Sequence, residues 1–133
     1  MGRRADIVDA VFQRSFNKLS EAGRHVFLLV SNWKAPIPEF ALLVVLGVKG
    51  VDAESGLEEC LRLSLITSVD LSGELRCFTA LQFARVFGQK KLNGDPDKLV
   101  TQENLLDIQK FGVLGSITAD QNAKGSCINN FQG

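Results

Sequence analysis

Few residues in this chain are of a type and spacing that could do chemistry. His25 is the only histidine, which leaves little from which to build a proton relay or a metal cluster, and packing or half exposure on a helix is its expected role. Ser15, Ser20 and Ser64 carry hydroxyls but have no accompanying His and Asp pattern, so capping or core-edge roles are the better reading. Glu58 and Glu59 are paired carboxylates in sequence only. Neighbours on a helix point about 100° apart, which suits a solvated face better than an acid and base pair. Cys60, Cys77 and Cys127 are odd in number and lack any C-x-x-C or Cys/His spacing, so no zinc site is expected. Cys60 and Cys77 read as small buried apolar groups in a reducing compartment. No metal or cofactor is expected in this chain, and the residues point to no enzyme.

Two further features bear on binding. Lys90 and Lys91 fall near a helix end, where they favour the dipole. Trp33, beside Lys34 and Pro36, is the one residue with the character of a partner contact, because aromatic side chains are enriched at interface hot spots. A Trp that closes one end of a bundle is the commoner outcome.

Lys plus Arg number 15 and Asp plus Glu number 15, so no global field draws the chain to nucleic acid or to an anionic membrane. A chain of 133 residues is normally one domain. No apolar run approaches the roughly 20 residues that cross a bilayer. Arg3 and Arg4 are not followed by a signal-type apolar region, because Asp6 and Asp9 interrupt it, and a cytoplasmic location is expected.

The elements that must position these residues are mainly helical. Residues 6–19 place Val8, Val11, Phe12, Phe16 and Leu19 at spacings of three and four, which predicts an amphipathic helix. Ser20 caps a second helix that ends near residues 31–33, and its run of apolar residues from Phe27 to Val30 makes it the expected centre. Pro38 should open a third helix that stops at Gly47. Asp52 caps a fourth over residues 53–63, with Leu57, Cys60 or Leu61, and Ser64 or Leu65 inward and Glu54, Glu58, Glu59 and Arg62 outward. Residues 65–69 and 75–78 read as two strands of a hairpin turned at Ser72-Gly73. Thr79 can cap a fifth helix to Leu92, with Leu81, Phe83 or Ala84, Phe87 and Leu92 as its apolar set. A sixth, carrying Leu105, Leu106, Ile108 and Phe111, should stop at Gly112. From Gly115 the chain is polar and without period, and is expected to be loose.

The fold class expected from this order is mainly α: a winged-helix bundle over residues 1–95 with a two-stranded β-hairpin wing, an appended C-terminal helix over 96–114, and a flexible tail over 115–133. Particular phrases carry a resemblance. Ser15-Phe16, Leu19-Ser20-Glu21, Arg24, Phe27-Leu28-Leu29, residues 36–42, residues 57–61 and Leu63-Ser64-Leu65-Ile66 follow one another in an order that resembles the winged-helix subdomain of STAND (NB-ARC-type) signalling ATPases. The likeness spans about residues 6–92. In that family the subdomain closes over ADP bound to a nucleotide-binding core, and a histidine just after the second wing strand reaches a phosphate.

Thr79 stands at that place here, with Arg76 close by, so these are the nucleotide-facing residues that the resemblance implies. Threonine can donate a hydrogen bond but cannot supply an imidazole contact. There is no G-x-x-x-x-G-K-[ST] loop in the sequence. ADP or ATP would therefore be met only through a nucleotide-binding domain absent from this chain. That domain, in the same or another protein, is the implied partner, and a noncatalytic regulatory role in signal transduction is the implied function. The sixth helix would begin a sensor or helical-repeat region.

Winged helices also bind DNA, which is the alternative reading. The helix that would enter the groove carries Asp52, Glu54, Glu58 and Glu59 against Arg62 alone, and phosphates repel such a face.

Overall fold

Five consecutive apolar residues, Val26 to Val30, cover more than one side of a helix and need neighbours on several flanks. All five are buried, and the helix that carries them is the hub of the molecule. The computed structural model describes the backbone of residues 2–71 and 75–123 and the side chains of residues 7–70 and 75–110. In chain order the elements are α1 (Gly2–Lys18), α2 (Glu21–Asn32), β1 (Ile37–Pro38), α3 (Glu39–Val48), α4 (Ala53–Arg62), β2 (Thr67–Leu71), β3 (Leu75–Thr79), α5 (Gln82–Asn93) and α6 (Lys98–Ala123). Mainly helical architecture with a small antiparallel sheet is what these residues build.

Two faces of α2 are met by α4 and α5 at very short range. On the α4 side, a Cβ added to Gly56 would lie 2.7 Å from the carbonyl oxygen of Ala22. Cys60 donates from Sγ to the carbonyl of Gly23 at 3.3 Å in the same seam. On the α5 side, a Cβ on Gly88 would collide with the side chain of Ser31. At one end of these helices Phe12, Phe16, Phe27 and Phe87 form a cluster with ring centroids 5.8–6.2 Å apart, a spacing at which tilted and edge-on pairs attract beyond their burial. Val11, expected inside, is exposed, because α1 meets α5 through Phe12 and Phe16.

Helix ends follow local chemistry closely. Ser20 accepts from Gly23 N at 3.2 Å and Asp52 accepts from Ser55 N at 3.1 Å, so both expected caps are made. The stop of α3 is not at Gly47. Gly50, at φ +78, is the left-handed residue, and the bonds Val51 N to Leu46 O and Gly50 N to Gly47 O close a Schellman motif one turn later. The same motif ends α4, where Leu65 N bonds Cys60 O and Ser64 N bonds Leu61 O. There the left-handed position is Ser64, at φ +60. Leu65 and Ile66 are thus spent on leaving the helix, and the strand begins at Thr67 rather than at Leu65.

The expected pairing of the hairpin is present: Thr67 stands opposite Thr79, Val69 opposite Cys77 and Leu71 opposite Leu75. Its expected turn at Ser72-Gly73 lies outside the described residues. A third strand was not foreseen. Ile37 pairs with Phe78 and Pro38 with Cys77, so the sheet runs β1-β3-β2 with β3 in the centre. Pro38 precedes α3 in an extended conformation instead of opening it as the first helical residue. A proline fits an edge strand, where its missing N–H costs nothing, and two residues are too few to show a period.

Thr79 belongs to β3 and does not cap α5, whose N-cap position is Leu81. Helix α6 starts at Lys98 and runs past the expected stop at Gly112 to Ala123, so residues 115–123 are helical where loose chain was expected; residues 124–133 lie outside the description. Thr101, Asn104, Leu105 and Ile108 face the bundle, and α6 packs on α3 and α2. Leu106, placed on the inner side by the sequence, is exposed. Lys49 of the α3 C-cap reaches Asn104 Oδ1 and lies 3.2 Å from Asp107 and 3.7 Å from Glu103. Among the described residues no helix is long and apolar enough to cross a membrane.

Two substitutions test this packing in opposite directions. Gly88→Ala should lower the unfolding free energy by about 1–3 kcal/mol in urea denaturation, because Ser31 must be displaced. Ser64→Gly should raise it by about 0.5–1 kcal/mol, since a left-handed backbone costs serine more than glycine loses in chain entropy.

Candidate functional site

The residues singled out by the sequence lie around β3 and the end of α2, but they do not form one constellation. Alternation along β3 sets Arg76 and Phe78 on one face and Cys77 and Thr79 on the other. Arg76 lays its guanidinium over the Phe78 ring, 5.0 Å from the centroid, and lies 3.9 Å from Glu39 of α3. Thr79 ends the strand on the opposite side. Trp33 is the C-cap of α2, half-buried and packed against the core.

What joins Thr79 to Trp33 is Arg85, a residue that sequence reasoning missed. From the first turns of α5 its Nη2 donates to Thr79 Oγ1 at 2.9 Å and, at the 3.5 Å limit, to the carbonyl of Ala80. Its Nη1 donates to the carbonyl of Ser31 at 3.3 Å and to that of Trp33. The last carbonyls of a helix have no partner within it, and a cation there also meets the negative end of the dipole. Arg85 supplies both. Asn32 adds bonds to Leu28 O at 2.9 Å and Gly88 O at 3.3 Å, so the end of α2 is fastened to α5 by side chains from both helices. One signal was available in the sequence: an arginine in the opening turns of α5, where the dipole disfavours it, set among Phe83, Ala84, Val86 and Phe87.

The opposite end of α2 has a matching arrangement. Ser20 donates to the Glu59 carboxylate from its backbone N and from Oγ, each at 2.7 Å. These two bonds, hydroxyl first and backbone second, hold the Glu59 carboxyl below the usual carboxylate range. Glu59 therefore does not point idly outward with Glu58, as its place in the sequence suggested. Glu58 has no part in this contact and is exposed. The two carboxylates take different surroundings and cannot act as a pair.

Both described cysteines are buried. Burial, reinforced by the Glu59 charge, pushes the Cys60 thiol up to about 12. Burial and then Asp70 raise Cys77 as well. Cys127 lies outside the described residues. His25 is within 3.9 Å of Glu21, one turn earlier on α2. Among the described residues there is no group of three or more His, Cys, Asp or Glu able to hold a metal ion.

Beside Thr79 the surface turns apolar. Leu81 and Phe83, at the start of α5, are 63% and 64% exposed; the sequence pattern offered Leu81 as an inward position and Phe83 as the alternative to Ala84. Ala84 and Phe87 take the inner face instead, with Leu92. On α3, Leu43, Val44 and Val48 form a second exposed apolar stripe. No family model matches this sequence, and neither a curated protein nor a solved structure is significantly similar to it.

Two measurements check these contacts. Arg85→Ala should cost about 1.5–3 kcal/mol of stability in urea, with Arg85→Lys between it and the parent, because lysine keeps the charge and loses the fork. For Cys60 the unfolded thiol ionises near 9 and the folded one near 12, so unfolding releases a proton between those values. Stability should therefore fall as pH rises through that window, by up to about 1.4 kcal/mol per pH unit, and Cys60→Ala should remove that part of the slope.

Proposed function

We propose that this chain is a noncatalytic winged-helix module of a STAND-type signalling ATPase, and that it packs against a nucleotide-binding core carried outside these residues. The order of four helices, an antiparallel hairpin and a fifth helix supports the winged-helix assignment. The observation that carries the packing is local. Leu81 and Phe83 stand exposed two and four residues after Thr79, the position that the family resemblance turns toward nucleotide. Exposed apolar side chains of that size at a helix start give a partner domain a footing at that place.

Thr79 accepts from Arg85 and retains its own hydroxyl hydrogen for donation. A phosphate brought to this edge by the core would meet that hydroxyl, and the arginine behind it would fix the side chain's direction. Arg85 also holds the end of α2, so movement of the α5 start is transmitted to the central helix. The proposed role is mechanical: a closing element that keeps a switch shut and passes its opening on.

Duplex DNA is a poor alternative for this surface. Asp52, Glu54 and Glu58 are exposed on and beside α4, and Asp70 is exposed on β2.

The reading is tested by association. The chain alone should give no heat with ADP and no mobility shift with duplex DNA at low salt. Added to a nucleotide-binding core from the protein in which this chain occurs, it should form a complex that Leu81→Asp with Phe83→Asp weakens by at least about tenfold, while circular dichroism stays unchanged. Coding sequence around this chain with no G-x-x-x-x-G-K-[ST] loop, or a salt-sensitive DNA shift, would end the proposal.

A further inference from the structure

Away from Thr79, a cleft of about 590 Å³ opens between α2 and the junction of α5 with α6. That volume is within the roughly 300–1,000 Å³ range of small-molecule sites. Its apolar lining is Phe16, Leu19 and Leu28. Two cations converge on one of these rings: Arg24 has its guanidinium carbon 5.1 Å from the Phe16 centroid, and Lys91 has Nζ 5.5 Å from it and 5.4 Å from that of Phe87. Like charges drawn to one ring repel each other. Neither forms an ion pair within 4.0 Å among the described residues.

The cleft also has three acidic residues, Glu21, Asp95 and Asp97, and the first two have contacts of their own. Glu21 lies beside His25 at 3.9 Å, and Asp95 Oδ1 accepts the backbone N–H of Asp97 at 2.9 Å. Asp95 and Asp97 both precede α6, where the positive end of the dipole offsets their charge. Among the described residues the cations have aromatic faces, and no carboxylate within 4.0 Å, opposite them.

A second, independent feature points into the same space. Thr101 lines the cleft, is only 2% exposed, and its hydroxyl makes no hydrogen bond among the described residues. Native proteins seldom leave a buried hydroxyl unpaired, because the group loses water and gains nothing. Valine would fill the same volume without that cost.

We infer that this cleft binds a small organic anion. Its charged group sits between Arg24 and Lys91, its apolar body lies against Phe16 and Leu28, and a polar atom pairs with the Thr101 hydroxyl. Carboxylates and phosphate esters share this chemistry. The site is separate from the surface proposed to meet the nucleotide-binding core, so it can fail or stand by itself.

The test is a titration of the ¹⁵N-labelled full chain, followed by amide shifts, with sodium benzoate and with phenyl phosphate at constant ionic strength. Inorganic phosphate and sodium chloride are the controls. At least one organic anion should give saturable shifts at Arg24, His25 and Thr101, and whichever binds more tightly identifies the charged group. Arg24→Gln with Lys91→Gln should weaken binding at least about tenfold. Thr101→Val should weaken it about fivefold and at the same time raise Tm, because it removes an unpaired buried hydroxyl. Unsaturable shifts, equal affinity for inorganic phosphate and phenyl phosphate, unchanged affinity in the variants, or a lower Tm for Thr101→Val would each overturn the inference.

Discussion

The structure depends on how α2 is held. A helix with apolar residues on most of its sides gains stability only if its neighbours approach closely enough to exclude water, and two of them touch it at glycines. Gly56 lets α4 rest against the backbone of Ala22, and Gly88 lets α5 rest against Ser31. Packing of this kind fixes position as well as energy, since nothing larger than hydrogen fits without a shift of one helix. The polar contacts at the two ends follow from that placement. With α4 so near, Glu59 reaches Ser20 at the positive end of the α2 dipole; with α5 so near, Arg85 reaches the carbonyls at the negative end. Charge and dipole agree at both termini.

This arrangement explains why the candidate residues around β3 have structural duties. Thr79 and the Trp33 carbonyl are tied to one arginine, and Arg76 is tied to Glu39 and Phe78. Exposed Leu81 and Phe83 lie beside this edge, whose polar groups are bound to one another. The cleft on the other side of α2 differs in kind. Among the described residues its cations make no ion pair within 4.0 Å, and its buried threonine hydroxyl makes no hydrogen bond.

Sequence reading reached the elements whose signals are local. The central helix, the Ser20 and Asp52 caps and the antiparallel hairpin were all legible, because each is written in a run of adjacent residues. It went wrong where the answer lies in the tertiary contact. Strand β1 was missed since two residues have no period and its partner, β3, is some forty positions away. The helix stop was placed at Gly47 because glycine marks such ends, yet the backbone turns left-handed at Gly50 and, against that rule, at Ser64. Leu81 was offered as an inward position, and the choice between Phe83 and Ala84 stayed open, because hydrophobicity alone cannot say which side of a helix meets the core. Arg85 and Glu59 looked like ordinary surface charges, and only the approach of α2 reveals their partners. Thr101 acquires interest only from its burial.

The attachment of α6 adds an ionic contact to the apolar packing of Leu105 and Ile108. Lys49 gathers Glu103, Asn104 and Asp107 onto the C-terminal end of α3, and two of those partners are charged. Mobile ions weaken such attractions as their concentration rises, while they leave the oily seams between α2, α4 and α5 nearly untouched. Ionic strength thus acts unevenly across this molecule, and on the last helix it reaches the ionic part of the hold and leaves the apolar part in place.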